Sequence, residues 1–283
     1  MTDASSDASD AEVPEKEEPI AAEQTEQRPQ KRNAFSELMS PKNKHQKHAQ
    51  EDKPKHAAKH PSEFRVRDAL GAYISKPESY PSSTVVYYDD DFVALHDRYP
   101  KSSLHLLLLP RDPSKFRLHP FEAFEDREFL EKVKVEVKKL RTLAAGELRR
   151  KYGKESRLEK ARQEAMDADP PPEELPPGRN WEAEIMSGIH AHPSMNHLHI
   201  HVLSVDRHSE CLKHKKHYNS FSTPFFIDIN DFPLAKDDVR RHPGREGYLK
   251  RDYVCWRCKK NFGNRFTELK RHLDQEYEEW KRI

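Results

Sequence analysis

One segment of the chain alternates histidine with apolar residues over seven positions. It reads His197-Leu198-His199-Ile200-His201-Val202-Leu203. Because successive side chains of a β-strand point to opposite faces, this alternation predicts a strand whose three imidazoles share one face at a spacing of about 6.6 Å. The apolar face belongs in a core, so the strand must lie in a covered sheet. A buried face of imidazoles is costly unless those groups have a chemical role.

Three interpretations of the imidazole face are open from the residues alone. The imidazoles could form a structural cluster in which they only hydrogen-bond to one another. They could bind zinc, since neutral imidazoles are good zinc ligands. They could also perform nucleophilic catalysis on phosphorus, in which one neutral imidazole attacks a phosphate while its neighbours donate hydrogen bonds to the phosphate oxygens.

The flanking sequence predicts an α+β domain with an antiparallel sheet. Apolar residues at helical spacing predict a first helix near residues 64–73 and a long helix from about 120 to 152. Alternating or apolar runs predict strands at about 84–88, 92–96, 103–109, 184–190 and 197–203. Short hairpins with a single long helix favour this fold class. Residues 146–180 are mostly charged and end in a proline-rich run, which predicts a mobile insertion.

The first 60 residues are predicted to be a disordered tail. The chain is 34% hydrophobic and 35% charged, and this segment shows no apolar periodicity, so it has too little apolar surface to form a core. Residues 1–30 carry nine acidic and two basic side chains, whereas residues 31–60 carry eight Lys or Arg against three Asp or Glu. This polarisation favours a polyanionic partner, although such charges can also serve only solubility.

The apolar runs and the cysteines restrict the location of the protein. The longest apolar run spans about six residues, far fewer than the ~20 of a membrane helix, so no membrane span is expected. The N-terminus has no apolar stretch, so no secretory signal is expected either. Three cysteines cannot form a disulfide framework, which favours a reducing compartment, cytosol or nucleus. No role is predicted for Cys211.

Two cysteines near the C-terminus stand at the spacing of a zinc knuckle. In a finger with two cysteines and two histidines, about twelve residues separate the pairs, and both histidines lie on one helical face. Here thirteen residues separate Cys258 from His272, and no second histidine follows. Glu276 lies one helical turn beyond His272 on the same face, so one structural zinc held by Cys255, Cys258, His272 and Glu276 is predicted. The alternative, a redox dithiol, lacks the surrounding βαβ pattern.

Basic residues cluster around this finger and directly after the histidine strand. Those of the finger are interleaved with Trp256 and Phe266. Such residues suit contacts to DNA phosphates, which position a duplex without reading its sequence. A solvated charged face is the alternative. The candidate DNA-binding residues are Lys213, Lys215, Lys216, His217, Lys259, Lys260, Arg265, Lys270 and Arg271.

The histidine strand resembles the signature of the histidine-triad superfamily, whose members hydrolyse or transfer nucleotides at the α-phosphate. Stretches at 97–105, 188–195 and 211–221 are similar to the aprataxin family in its shorter fungal form, which removes AMP from adenylated DNA 5′ ends. The variant fourth zinc ligand is similar to the fungal members too. The resemblance covers roughly residues 62–283, whereas residues 146–180 have no counterpart and the tail does not resemble the forkhead-associated domain of vertebrate members.

The resemblance implies roles for the histidines and their neighbours. His199 would attack the α-phosphorus to give a covalent AMP–histidine intermediate, which water then hydrolyses. His197 and His201 would hold the phosphate oxygens, and His190 would assist the leaving group. No metal is expected at these histidines. Candidate nucleotide- or phosphate-binding residues are Asp97, Lys101, His105, Ser194, Leu70 and Tyr73, for which ion pairing, surface exposure or core packing are the alternatives.

Three segments are expected. They are a disordered tail at 1–60, a histidine-triad domain at 61–222, and a zinc-finger DNA-binding module at 223–283. The expected protein is a nuclear, monomeric hydrolase that acts on nicked or 5′-adenylated double-stranded DNA, releases AMP and binds no membrane. One alternative is a general nucleoside phosphoramidase or dinucleotide hydrolase. The other is a DNA-binding zinc-finger protein without catalytic activity.

Overall fold

The computed structural model describes residues 66–283 of the chain, and the predicted tail at 1–60 lies outside the described residues. Within the described part, no helix is long and apolar enough to cross a membrane. The helices and strands of the first part are α1 (Gly71–Ser75), β1 (Val85–Tyr88), β2 (Phe92–His96), β3 (His105–Pro110), α2 (Pro120–Ala123), α3 (Arg127–Tyr152), α4 (Arg157–Asp167), β4 (Ile185–His190) and β5 (Ile200–Ser204). Those of the second part are α5 (Lys215–Ser222), β6 (Phe226–Asp228), α6 (Pro243–Glu246), β7 (Tyr253–Val254), β8 (Asn261–Gly263) and α7 (Phe266–Lys281).

Six strands form one antiparallel sheet in the order β1-β2-β3-β5-β4-β6. The predicted α+β class with an antiparallel sheet is confirmed. In the centre of the sheet, His201 of β5 lies opposite Leu107 of β3 on one side and opposite Gly188 of β4 on the other. The histidine strand is therefore central, where both of its neighbours fix its position.

The long helix α3 covers one face of the sheet. It begins at the cap residue Asp126, whose carboxylate accepts the backbone N–H of Phe129 at 3.1 Å. That cap separates α2 from α3, so the single helix predicted over 120–152 is two helices. Val133 and Leu140 on α3 lie in the same buried cluster as Ile200, and this cluster is the main core.

The opposite face of the sheet carries the histidines and a smaller core under α1. Leu70 and Ile74 pack there with Leu107 and Leu109 of β3. Because β5 alternates, Ile200 points into the main core while His199 and His201 point to this second face. All three of those residues are buried.

The predicted strand at 197–203 starts three residues later than expected. In the register with β3, Leu108 faces Ile200, and two positions further on β3 ends at Pro110, which would face Leu198. Proline has no N–H to donate to the ladder. The backbone N–H of Leu198 instead donates to the carbonyl oxygen of Phe116 at 2.8 Å, so His197 and His199 precede the strand in extended chain that a loop holds.

The segment predicted as an insertion contains the helix α4. It begins at the cap residue Ser156, whose hydroxyl accepts the backbone N–H of Glu159 at 3.3 Å. The first turn of α4 and the chain before β4 contact the end of α7. The structure therefore gives this segment a defined conformation, and its mobility stays a prediction.

The C-terminal part forms a ββα finger from β7, β8 and α7. Its buried cluster contains Tyr253, Phe262 and Leu269, together with Leu212 and Tyr218 from the chain next to and within α5. The finger thus shares its small core with the helix that follows the histidine strand.

Candidate active site and zinc site

Four elements bring five imidazoles to one region of the sheet face. His105 begins β3, His190 ends β4, His201 lies in β5, and His197 and His199 precede β5. The rings of His190 and His199 lie 4.6 and 4.9 Å from the ring of His201, measured between centroids. His105 lies 5.1 Å from the same ring. His201 is therefore the centre of the cluster.

The hydrogen bond of His199 fixes which of its ring nitrogens can react. Nδ1 lies 2.8 Å from the backbone carbonyl oxygen of His197. A carbonyl oxygen only accepts, so Nδ1 carries the proton and donates it. In the neutral ring the lone pair is then on Nε2. His199 is therefore oriented as a nucleophile through Nε2.

A chain of hydrogen bonds fixes the tautomer of His201. The backbone N–H of Lys101 donates to Nδ1 of His105 at 3.1 Å, so Nδ1 of this ring is an acceptor and Nε2 carries the proton. Nε2 of His105 donates to Nδ1 of His201 at 2.9 Å. Nε2 of His201 consequently carries a proton, and this buried atom has no partner among the described residues. It is a donor available to an oxygen of a ligand.

The same hydrogen bonds argue against a metal ion at this cluster. Donor atoms of Asp97, His105 and His201 lie within 4.8 Å of one another, close enough to suggest a metal site. However, the facing nitrogens of His105 and His201 are already bonded to each other. The carboxylate of Asp97 lies 3.4 Å from Nδ1 of His105, whose lone pair accepts from Lys101.

Burial keeps the imidazoles neutral at pH 7. It lowers the pKa of His105 to about 4 and lowers the pKa of His199 below its usual value. Burial, followed by the neighbouring imidazoles, lowers the pKa of His190 and of His201 well below 6.5. A neutral ring is the nucleophilic form, so the burial of this cluster suits attack on phosphorus.

His197 lies at the edge of the cluster, between α1 and the loop before α2. Its ring stacks at a tilt on Phe116, with 5.6 Å between the centroids. A Cβ atom at Gly71 would lie 2.9 Å from Nε2 of the same ring. Only a residue without a side chain fits there. Nδ1 of His197 is buried and has no partner among residues 66–283, so it is a second polar atom available to a ligand.

The loop from Asp97 to Lys101 approaches the cluster from the start of β3. One carboxylate oxygen of Asp97 accepts the backbone N–H of Tyr99 at 2.7 Å, which turns the loop back towards the sheet. The ammonium group of Lys101 donates to the carbonyl oxygen of Tyr99. Burial lowers the pKa of Lys101, while the charge of Asp97 acts in the opposite direction. The structure thus places Lys101 and His105 at the cluster, and their role in nucleotide or phosphate binding stays a prediction.

The other nucleotide-site candidates lie on the α1 side. The carbonyl oxygen of Ser194 accepts from Nε of Arg67 at 3.1 Å, which ties the loop before His197 to the chain that precedes α1. Leu70 is buried in the small core, so packing accounts for its position. Tyr73 is half-buried and packs against the edge of that core, with its ring 4.5 Å from that of Tyr80.

Two residues at the site were not assigned a role from the sequence. Phe221 on α5 packs its ring against those of His190 and His201, at 4.6 and 5.1 Å, so it forms an apolar wall of the cluster. Gly188 lies directly opposite His201, and a Cβ there would collide with the carbonyl oxygen of Ile227 in β6. In the sequence, the only indication that Phe221 belongs to the site is its place in a stretch that is similar to aprataxins.

The four predicted zinc ligands converge in the finger. Their donor atoms lie within 4.8 Å of one another. Nε2 of His272 lies 3.1 Å from Sγ of Cys258 and 3.1 Å from Oε1 of Glu276. Arg257 donates to the other oxygen of Glu276 at 2.7 Å, which leaves Oε1 for an ion. Two sulfurs, a nitrogen and an oxygen fit tetrahedral zinc, so these residues are positioned to bind one ion.

The DNA-binding candidates differ in how freely they face solvent. Lys215 is engaged, since it donates to the side chain of Asn264 and lies 5.3 Å from the ring of Tyr253. His217 is half-buried, and burial followed by the charge of Lys101 lowers its pKa to about 4. Lys270 is half-buried beside the loop at 207–210. The exposed candidates are Lys213, Lys216, Lys259, Lys260, Arg265 and Arg271.

Two family models match the chain. One describes the HIT domain and matches residues 79–208. The other describes a C2HE / C2H2 / C2HC zinc-binding finger and matches residues 222–279. The two matches lie in the segments predicted as the histidine-triad domain and the zinc finger.

Known proteins resemble most of the chain. The aprataxin-like protein of Schizosaccharomyces pombe is 38% identical over 223 residues, which cover 78% of this chain and 86% of the relative. That of Saccharomyces cerevisiae is 38% identical over 75% of this chain and 95% of the relative. A crystal structure of the aprataxin ortholog Hnt3 in complex with DNA has a TM-score of 0.59 and 35% identity, covering 76% of this chain and 96% of that chain. With these similarities over nearly the whole length of its relatives, the chain belongs to the aprataxin-like family of HIT-domain proteins.

Proposed function

We propose that this protein removes AMP from adenylated 5′ ends of DNA through a covalent intermediate on His199. The observation that carries the proposal is the neutral ring of His199, whose Nδ1–H is bonded to the carbonyl oxygen of His197, so that Nε2 holds the lone pair. Membership of the aprataxin-like family supports the DNA substrate, as does the crystal structure of the ortholog Hnt3 with DNA.

In the first step, Nε2 of His199 attacks the α-phosphorus. The P–N bond forms while the P–O bond to the DNA 5′-phosphate breaks, and the electron pair leaves with that phosphate. Positive charge develops on the imidazole, and the carbonyl oxygen of His197 stabilises it through the bond to Nδ1–H. Nε2–H of His201 donates to a non-bridging oxygen where negative charge increases.

The leaving group needs little help from an acid. A phosphate monoester has a second pKa of about 6, so it departs as an anion at neutral pH. Burial holds His190 in its neutral form and its pKa well below 6.5. This ring therefore acts by hydrogen bonding, and its unpartnered Nε2 supports a contact to the departing phosphate.

In the second step, water hydrolyses the intermediate. Its oxygen forms a new bond to phosphorus, the P–N bond breaks, one proton goes to solvent, and AMP is released. His199 returns to the neutral ring with Nδ1–H still bonded to His197. Each of these steps is a displacement at phosphorus, and the side chains at the cluster supply the donors.

DNA would lie across the finger and the loop that follows β5. The exposed basic residues of these two regions suit phosphate contacts to double-stranded DNA beside a nick. Zinc would be a structural ion that holds Cys255, Cys258, His272 and Glu276 together and thereby orients α7. Because the proposed substrate is DNA, we propose that the protein acts in the nucleus and that it acts as a monomer.

The deciding experiment is single-turnover release of AMP from a nicked duplex with a 5′-adenylate. We expect rapid release by the wild type, none by His199→Ala, and an AMP adduct on the wild-type protein before release that is stable in alkali and labile in acid, as a P–N bond requires. His96→Ala, on the exposed end of β2, is the matched control and should keep full activity. Absence of release by the wild type, together with cleavage of adenosine 5′-phosphoramidate, would replace the proposal with a general nucleotide hydrolase.

The DNA surface is tested by the salt dependence of binding. In a His199→Ala background, the double variant Lys259→Ala and Lys260→Ala should weaken binding of the nicked duplex. Its slope of log affinity against log salt should fall by about 0.9 for each lost phosphate contact. Lys138→Ala, on the helix that covers the opposite sheet face, should leave the slope unchanged. Equal slopes for the His199→Ala background, the double lysine variant and the Lys138→Ala control would show that these finger lysines do not contact the DNA.

A further inference from the structure

The end of α7 is held by a segment of the chain outside the finger. We name this segment the clasp and define it as residues 155–181. It contains α4 and the chain that leads to β4. The helix α7 carries the ligands His272 and Glu276 in its middle, and its last turn reaches the clasp. Because α7 spans 16 residues, or about 24 Å, a small rotation at one end moves the other end appreciably.

The first contact joins the start of α4 to the end of α7. The backbone N–H groups of Arg157 and Leu158 donate to the carbonyl oxygens of Arg282 and Ile283, at 3.2 and 3.3 Å. The hydroxyl of Ser156 donates to the carbonyl oxygen of Ile283 at 2.9 Å. Free N–H groups at a helix start thus meet free carbonyl groups at a helix end, and the two helix dipoles are aligned favourably.

The second contact is a guanidinium group between two indole rings. Arg179 lies 4.3 Å from the ring of Trp181 and 4.8 Å from that of Trp280 on α7. Its Nη2 donates to Glu184 at 3.0 Å, and the same carboxylate accepts Nε1–H of Trp280 at 2.6 Å through its other oxygen. Arg179 is only 6% exposed and Trp280 is fully buried.

The two arms of the clasp contact each other, and the clasp packs against the main core. Nε1–H of Trp181 donates to Glu159 on α4 at 2.8 Å, which joins the two arms of the segment. Trp280 and Trp181 belong to the same buried cluster as the strands of the main sheet. The end of the finger helix is therefore inserted into the core of the catalytic domain, with Arg179 as the polar centre of the contact.

We propose that the clasp sets the orientation of α7 relative to the histidine cluster, so that DNA bound by the finger presents its 5′ end to His199. Arg179 is the positioning residue. This inference rests on the proposed function, and it assigns a role to a segment that the sequence left without one. Breaking the contact leaves the zinc ligands and the imidazoles in place, because the clasp contributes to neither set. Variants that break the contact should therefore lose activity on adenylated DNA and keep activity on a small substrate.

The test compares Arg179→Ala and Arg179→Lys with the control Lys160→Ala, an exposed residue of α4. Lysine keeps the charge beside Glu184 but cannot stack between two rings as a planar group does, so this variant remains informative if the alanine variant fails to fold. Each protein is assayed for its zinc content, for AMP release from the adenylated nicked duplex, and for hydrolysis of adenosine 5′-phosphoramidate.

We expect the KM for adenylated DNA to rise about tenfold in the Arg179 variants, as for two binding surfaces that lose their fixed alignment. The kcat/KM for the phosphoramidate should stay within about twofold, with one zinc per chain throughout. An unchanged KM for DNA, or a parallel loss on both substrates, overturns the proposal.

A separate measurement of affinity keeps this test independent of the proposed function. In the His199→Ala background, the Kd for a nicked duplex without adenylate should rise about tenfold on Arg179→Lys. If wild-type protein cleaves only the phosphoramidate, the proposed DNA substrate fails. The proposed role of the clasp is then tested by this Kd alone, and an unchanged Kd would contradict that role.

Discussion

Gly71 lies so close to the ring of His197 that a methyl group at this glycine would meet Nε2 at 2.9 Å. The ring of His197 also packs against Phe116, with 5.6 Å between the centroids, which limits its freedom to move away. The helix α1 therefore positions a catalytic candidate through the absence of a side chain.

We accordingly expect Gly71→Ala to displace the ring of His197 and to lower kcat/KM for AMP release roughly tenfold to a hundredfold, as for misplacement of a reacting group. Steady-state kinetics measure the effect. The matched control is Gly146→Ala on α3, where an added Cβ meets nothing within 4 Å. It should keep activity and gain up to about 1 kcal/mol of stability. Full activity of Gly71→Ala would mean that the position of His197 does not limit the rate.

The bond from His105 to His201 leads to a prediction about tautomers. His105→Phe keeps an aromatic ring at the site but removes the donor to Nδ1 of His201, at 2.9 Å. Nδ1 can then carry the proton, and Nε2 no longer donates to the phosphate. We expect kcat to fall roughly tenfold to a hundredfold with little change in KM.

Nitrogen-15 shifts of His201 should report the change of tautomer directly. The control variant is His96→Phe, at the exposed end of β2, and it should leave both kcat and the shifts unchanged. A loss of kcat without a change of tautomer would assign His105 a different role.

The buried imidazoles predict how stability depends on pH. Burial lowers the pKa of His105 to about 4, and lowers the pKa values of His190, His199 and His201, so these rings bind protons in the unfolded state first. Their contribution to stability is complete above pH 6.5 and is lost as pH falls below that value. For His105, whose folded pKa is about 4, the slope is about 1.4 kcal/mol per pH unit between pH 6.5 and 4.

Denaturant unfolding at several pH values measures this slope. Replacing His190 by Gln should flatten the profile between pH 6.5 and 4, because one buried titrating ring is removed. An identical slope for the variant would show that His190 is protonated in the folded protein. Because His199 stays neutral, kcat should also persist below pH 6.5.

Removal of zinc should affect the histidine cluster as well as the finger. Tyr218 on α5 donates its hydroxyl to the carbonyl oxygen of Val254 at 2.9 Å and lies in one buried cluster with Cys255. One turn away on the same helix, Phe221 packs against His190. The helix α5 thus has one side in the finger core and another side on the catalytic rings.

Cys255→Ser should therefore lose zinc, lower the Tm by roughly 6–12 °C, corresponding to about 3 kcal/mol, and reduce hydrolysis of the small phosphoramidate as well. Metal analysis and the Tm are measured on the same preparation. Lys259→Ala, an exposed position of the finger, is the control and should retain zinc and phosphoramidate hydrolysis. A zinc-free protein with an unchanged rate on the phosphoramidate would show that α5 does not couple the two sites.

The sequence alone determined the features that depend on local spacing. Alternation from His197 to His201 predicted a strand with imidazoles on one face, and the helical spacing of His272 and Glu276 predicted a zinc-ligand set that the structure brings together. The antiparallel α+β class followed from apolar periodicity. The fold class is confirmed and the zinc ligands converge, because neighbours along the chain are neighbours in a strand or helix. The histidine strand itself begins at Ile200, so of the three imidazoles only that of His201 lies within it.

Only the tertiary structure decided the contacts between distant positions. The pairing of His105 with His201 spans 96 positions, and the bond from Ser156 to Ile283 spans 127. The contact of Gly71 with the ring of His197 also joins positions that are far apart in the sequence. So does the contact of Arg179 with the ring of Trp280. No periodicity encodes such pairs, because they arise where separate elements pack and their side chains compete for one space. The tautomers of the imidazoles and the orientation of the finger helix depend on those contacts, so they appear only once the chain is folded.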